Sequence, residues 1–316
     1  MSILNVKDLY VGFPTADGVV KAVNSIDLCL EEKEILGLLG ESGSGKTVFG
    51  QAIMRLIKDK IEMHGQILYE GQDVLEMDKR KLRKMRGKKL GMIMQNPGSS
   101  LNPSYTIGNQ IGEALTVHNK MKKTEVKRQS IKLLEQVKMQ NPEKRANEYV
   151  HQFSGGMKER AIIAMGIAGN PDFMVVDEPT KGLDTLVKYK VVRLMKEISQ
   201  DKTMILITHD LDVAQELCTK IAILYLGELV EIAPVDKLFE KQLHPYTQGF
   251  FDSMPKRGMI PIEGTPDSLI NLPKGCRFHT RCSQCTEHCK NEHPPMYEVE
   301  GNRKVRCFLY AGSEPS

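Results

Sequence analysis

The stretch "LLGESGSGKTVF", residues 38–49, sets three glycines, two serines and one lysine directly behind a hydrophobic segment. That segment, "EILGLLG" from Glu34 to Gly40, reads as a fully buried strand running into the turn. Beyond the turn, Val48, Ala52, Ile53 and Leu56 keep a helical period. Strand, glycine-rich loop and helix follow in the order that a phosphate cradle requires. The run Gly40, Glu41, Ser42, Gly43, Ser44, Gly45, Lys46, Thr47 fits G-x-x-x-x-G-K-S/T, the P-loop. Its glycines let the backbone curl so that successive N–H groups point at phosphate oxygens beside the positive end of the following helix. Lys46 is expected to place its ammonium on the β and γ phosphates, and the Thr47 hydroxyl to ligate Mg²⁺.

A P-loop alone specifies nucleotide binding, and hydrolysis needs more. "FMVVDEPT", residues 173–180, puts Asp177 at the end of a second buried strand, where its carboxylate can complete a Mg²⁺ shell. The adjacent Glu178 can accept a proton from an attacking water. "QFSGGMKER", residues 152–160, sets two glycines before a helix, which by itself is an unspecific anion-binding terminus.

Taken in order, the P-loop, Ser154-Gly155-Gly156, Asp177-Glu178 and His209 in "LITHD" resemble the ATP-binding-cassette (ABC) ATPases. Gln95 in "MIMQNP" fits that family's Q-loop, and Asp184 in "KGLD" its D-loop. The resemblance spans roughly residues 3–240. It implies an α/β P-loop NTPase core of the RecA-like kind, with an antiparallel β subdomain and an inserted helical subdomain at about 97–169. It further implies a head-to-tail pair of cassettes, with ATP between one chain's P-loop and the other's Ser154, Gly155 and Gly156. Gln95 would then sense Mg²⁺ and the attacking water, and His209 would touch the γ-phosphate. Two positions depart from the family pattern. The signature reads Phe153-Ser-Gly-Gly-Met157 where Leu-Ser-Gly-Gly-Gln is usual. The adenine-stacking aromatic is assigned to Phe13, next to what reads as a loop insertion, "PTADG".

The remaining chain bounds the possibilities. With 44 Lys and Arg against 40 Asp and Glu, a formal charge of +4 gives no reason to expect nucleic acid. The densest basic run, Asp78–Lys89, carries Leu82 and Met85 at helical spacing and reads as a solvated helix face. No apolar run approaches the roughly 20 residues that span a bilayer, so membrane association is expected through partners. Residues 1–36 alternate as short antiparallel strands should, and "KIAILYLGELVEIA", residues 220–233, reads as a hairpin around Gly227-Glu228. Cys29 and Cys218 sit alone in apolar patterns as core residues. The other five of seven cysteines crowd into the last 41 residues, behind a change of composition near Lys241. In a cytosolic chain that clustering favours a metal or cluster site over disulfides.

"NPGSSLNPSYTIGNQI", "HPYTQGF" and the Cys-rich end look like the ATPase subunits of oligopeptide, dipeptide and nickel importers. The resemblance implies a C-terminal extension from 241 to 316, a paralogous second ATPase, two membrane permeases and an extracytoplasmic binding protein. It places the chain peripherally on the cytoplasmic face of the cell membrane. Cys276, Cys282, Cys289 and Cys307 resemble the pattern of relatives that hold a 4Fe-4S cluster. Cys285 is extra and makes with Cys282 a CxxC that also suits Zn²⁺, helped by His279 or His288. The other functional class to weigh is a cytosolic cassette that remodels a soluble complex, as the accessory ATPases of phosphonate carbon–phosphorus lyase do.

Overall fold

The structure, a computed structural model, describes residues 2–58, 60–117 and 120–312. The chain forms two compact units, Met1–Leu75 with Ile207–Ser316, and Glu76–Leu206.

The first unit opens with β1 (Ser2–Thr15) and β2 (Gly18–Glu31), an antiparallel hairpin whose last pair is Thr15 with Gly18. Each strand has 14 residues, longer than the alternation suggests. Asp8 and Ser25, both at positive φ, sit where the register shifts, so bulges break the two-residue period without ending the pairing. "PTADG" is therefore the tip of this hairpin and not an inserted loop; the Thr15 hydroxyl closes it by donating to the Gly18 carbonyl at 2.6 Å. Cys29, placed in the core by its apolar neighbours, is exposed on β2, whereas Cys218 is buried. β3 (Ile35–Leu39) is buried throughout, and the loop after it enters α1 (Lys46–Ile53), which buries Phe49, Ala52 and Ile53. β4 (Glu62–Tyr69) pairs with β1, and β5 (Gln72–Asp73) with β4, giving the antiparallel order β2-β1-β4-β5.

The second unit begins with α2 (Lys79–Met85), capped by the Asp78 carboxylate and burying only Leu82. The basic run is a solvated face, as its spacing suggests. β6 (Leu90–Ile93) is followed by five helices, α3 (Pro97–Ser100), α4 (Ile107–Thr116), α5 (Lys123–Gln136), α6 (Pro142–Ala146) and α7 (Gly155–Ile167). α4 buries Ile107, Ile111 and Leu115, and α5 buries Leu133 and Leu134, the stripes that a 3.6-residue period requires. β7 (Phe173–Asp177), α8 (Thr185–Ser199) and β8 (Thr203–Ile207) complete the unit. β6 and β7 run parallel, with Leu90 opposite Phe173 and Ile93 opposite Val176, and β8 lies beside β7. β7 and β8 are buried at every position, as strands covered on both faces must be.

The chain returns to the first unit through α9 (Leu211–Leu217), β9 (Lys220–Tyr225) and β10 (Glu228–Pro234). Leu226 and Gly227, both at positive φ, form the hairpin turn, one residue ahead of the centre expected from the sequence. α10 (Val235–Glu240), α11 (Pro245–Asp252), α12 (Glu287–Asn291), β11 (Tyr297–Val299) and β12 (Arg303–Val305) follow. The sheet order within this unit is β11-β12-β10-β9-β3, with β3 and β9 parallel. Residues beyond Lys241 thus add two strands to the sheet that carries the P-loop. Glu231, fully buried on β10, anchors them by accepting from the Leu243 N–H at 3.0 Å, the His244 N–H at 2.9 Å and Arg303 Nη2 at 2.8 Å. Removal of Arg303 would leave that buried carboxylate without its cationic partner. Among the described residues no helix is long and apolar enough to cross a membrane.

Candidate nucleotide site and cysteine cavity

The loop between β3 and α1 is shaped by close approaches that only glycine allows. Gly45, at φ 106°, caps α1 without a side-chain bond, and a Cβ there would lie 2.0 Å from the Ala22 carbonyl oxygen. Gly40, at φ 150°, would bring a Cβ to 2.1 Å from the Leu224 carbonyl oxygen. The β9–β10 turn supports the loop from beneath, with the Gly227 N–H donating to the Ser44 carbonyl at 3.0 Å and Asn24 N–H to the Gly227 carbonyl at 2.7 Å. The result is a backbone nest opening at the uncapped start of α1, the arrangement that binds phosphate. Lys46 is buried, and its Nζ donates to the carbonyls of Gly40 at 2.9 Å and Glu41 at 2.7 Å. The ammonium is thereby folded over the loop, able to trade carbonyl acceptors for phosphate oxygens. Ser42 and Gly43 form the exposed lip, and Thr47 is half-buried.

Two other expected residues belong to this unit. Thr208 N–H donates to the Leu38 carbonyl at 3.3 Å, which sets the exposed His209 at the end of β3 where the P-loop begins. Phe13 is half-exposed on β1, opposite Val20.

The second unit holds the rest. Asp177 ends β7 and Glu178 follows, both buried. Glu178 takes φ 50°, a left-handed conformation that costs a residue with a side chain roughly 1–2 kcal/mol. Such strain concentrates where a side chain must be aimed. Gln95 is half-buried just past β6. Ser154 is the exposed N-cap residue of α7 and its hydroxyl makes no capping bond; Gly155 and Gly156 form the first turn. Asp184 caps α8, its carboxylate accepting from the N–H groups of Leu186 at 3.1 Å and Val187 at 3.0 Å.

The sequence marked "HPY" without a physical role for it. His244 caps α11, its Nδ1 accepting from the Tyr246 N–H at 3.0 Å, and Pro245 occupies the first helical position. Burial pushes the His244 pKa down to about 3, so the ring stays neutral and keeps its acceptor lone pair. Tyr246, fully buried, accepts with its hydroxyl from the Glu41 N–H at 2.9 Å.

Cys276, Cys282, Cys289 and Cys307 line one cavity of about 230 Å³, together with Phe278, His279 and His288. Cys285, the extra cysteine of the spacing pattern, is not among the lining residues. Burial pushes the Cys276 thiol up to about 12 and Cys307 up to about 11. Thiols in that state ligate only if a strongly positive centre displaces their protons. Among the described residues no three His, Cys, Asp or Glu side chains are set to hold a metal ion, which leaves the zinc and the cluster expectations alike without direct support. Four thiols around one cavity fit the ligand demand of a larger four-iron group.

A strand, a glycine-shaped nest, a lysine over it and a helix behind it define a P-loop nucleotide-binding protein. The profile of the ABC transporter family matches residues 23–181, and that of the oligopeptide/dipeptide transporter C-terminal region matches residues 230–289. The oligopeptide transport ATP-binding protein OppD of Bacillus subtilis (strain 168) is 40% identical over 323 residues, covering 99% of this chain and 90% of its own length. OppD of Escherichia coli (strain K12) is 38% identical, covering 97% and 93%, and the dipeptide transport ATP-binding protein DppD of Lactococcus lactis subsp. cremoris is 37% identical, covering 97% and 90%. A solved ATP-binding cassette, dimeric in a post-hydrolysis state with ADP and Pi, superimposes with a TM-score of 0.67 at 25% identity over 73% of this chain and 98% of its own. The chain belongs to the ABC transporter family, among the ATP-binding proteins that carry the oligopeptide/dipeptide transporter C-terminal region. It is an ATPase that uses ATP with Mg²⁺.

Proposed function

We propose that the chain is the ATP-hydrolysing subunit of an importer for oligopeptides or dipeptides, bound peripherally to the cytoplasmic face of the cell membrane through its permeases. The observation that carries this reading is similarity to OppD along 99% of the chain, with the cassette and the C-terminal region both present. The names of these relatives favour peptides over chelated nickel as cargo. Nothing observed favours the soluble remodelling alternative.

In this reading Gly40–Thr47 cradle the phosphates, Lys46 neutralises their charge, and Phe13 stacks on adenine. Thr47, Gln95 and Asp177 hold Mg²⁺. Glu178 takes the proton of the attacking water, His209 touches the γ-phosphate, and Ser154, Gly155 and Gly156 seal the nucleotide of a second cassette. Asp184 adds a cassette-to-cassette contact to its capping role. Closure of the two cassettes then drives two permeases, fed by an extracytoplasmic binding protein, between access states. A groove of about 630 Å³ between α4 and α5, lined by Tyr105, Asn109, Glu113 and Val126, suits a short permease helix. Cys276, Cys282, Cys289 and Cys307 would hold a 4Fe-4S cluster, whose thiolate bonds supply cross-links to a segment poor in core residues. The test is fractionation of cells with and without the permeases. The chain is expected with the membranes only when the permeases are present; a chain that stays soluble beside them contradicts the importer reading.

A further inference from the structure

We infer that Arg281 and Tyr246 are positioning residues of the nucleotide loop, through which the C-terminal region sets how tightly the loop grips ATP. The inference rests on the reading of Gly40–Thr47 as that loop.

Glu41, the second residue of the loop, is held from three directions. Its carboxylate faces the Arg281 guanidinium, with Nη1 at 3.1 Å from Oε2 and Nη2 at 3.2 Å from Oε1. Its N–H donates to Tyr246 Oη, and its carbonyl accepts from Lys46 Nζ. Two of the three holds come from residues more than 200 positions away in sequence, 205 for Tyr246 and 240 for Arg281. Arg281 is 4% exposed against 25% for Glu41, so the cation is the rigid member of the pair. Its Nε donates to the Glu263 carbonyl at 3.1 Å, and the guanidinium lies 5.9 Å from the Tyr225 ring and 5.8 Å from the Phe278 ring. Tyr225, Tyr246 and Phe278 pack together, with Tyr225 and Tyr246 centroids 4.4 Å apart.

A bidentate guanidinium–carboxylate pair fixes orientation as well as distance. The Tyr246 hydroxyl also occupies the Glu41 N–H, and the Glu41 carbonyl accepts from the Ser44 N–H at 3.2 Å, so both backbone groups of Glu41 are bonded and the first turn of the loop is fixed around it. A loop pinned at its first turn has less to lose in ordering when nucleotide arrives. The pins come from the segment between Cys276 and Cys282 and from the "HPY" helix, so the C-terminal region reaches the ATP site through side chains and not only through the sheet.

The test is Mg²⁺-dependent titration of the full chain with trinitrophenyl-ATP, alongside melting curves without nucleotide. Arg281→Ala is expected to weaken binding roughly tenfold, the scale of one charge-assisted hydrogen-bonded pair. Arg281→Lys should fall between it and wild type, and Arg281→Ala/Glu41→Ala should bind no worse than Arg281→Ala alone. Should Arg281→Ala fail to fold, Glu41→Gln and Tyr246→Phe, which remove one charge and one hydroxyl, are expected to weaken binding severalfold. Variants that melt earlier yet bind nucleotide as tightly as wild type overturn the inference. A wild-type chain that binds no nucleotide overturns the loop reading instead, and the inference with it.

Discussion

Glu159, on α7 shortly after the signature glycines, is 2% exposed, and its Oε1 has no hydrogen-bond partner. Burial pushes its pKa from 4.5 up to about 8. The folded chain therefore keeps a proton that the unfolded chain has released, and its stability falls as pH rises from about 4.5 to about 8 and levels off above. Glu159→Gln should raise stability at pH 7.5 by up to roughly 4 kcal/mol and flatten that slope, measured by urea unfolding across the pH range. The conformational demand on Gly45 gives a second prediction. Gly45→Ala forces a Cβ into left-handed backbone against the Ala22 carbonyl, so it should lose roughly 1–2 kcal/mol or more and bind trinitrophenyl-ATP at least tenfold more weakly. Gly45, Lys46 and Thr47 were legible in sequence because a phosphate nest is local, built by consecutive backbone groups. The need for glycine at 40 and 45 was legible too, but its cause, carbonyls of Leu224 and Ala22, was not.

At the scale of elements, the buried strands β3, β7 and β8 and the β9–β10 hairpin could be read from unbroken apolar runs and a turn. The N-terminal hairpin was read too short, because bulges interrupt alternation without interrupting pairing. Pairing of β12 with β10, Glu231 opposite Val305, left no local signal, since a three-residue strand acquires its identity from its neighbour. The same holds for Glu231, an acidic residue in an apolar strand whose partners lie 12 to 72 positions away. The cysteine cavity divides the five clustered thiols as the spacing pattern does, with Cys285 left out of the lining. Anaerobically prepared chain is expected to carry about four iron atoms with a broad visible absorption band. Cys282→Ser should lower the iron content, and Cys285→Ser should leave it unchanged; iron lost equally in both would refute the division between lining and extra cysteines.

Across the whole molecule, the residues expected to bind and hydrolyse ATP fall in both compact units. The P-loop and His209 lie in one, and Gln95, Asp177, Glu178 and the signature turn in the other. The order of motifs along the chain identified the cassette because each motif is short and sits at the end of a strand or the start of a helix. The grip of Tyr246 and Arg281 on Glu41 could not be read in this way, since it joins residues at opposite ends of the sequence. The role proposed for Glu178 is that of the base for water attack on ATP. It is tested most directly by ATP turnover and nucleotide binding of Glu178→Gln, assayed in the complex with the proposed partner ATPase and permeases. Nucleotide binding within about twofold of wild type, with turnover reduced roughly 100-fold or more, is the predicted result. Hydrolysis by Glu178→Gln at the wild-type rate would contradict it.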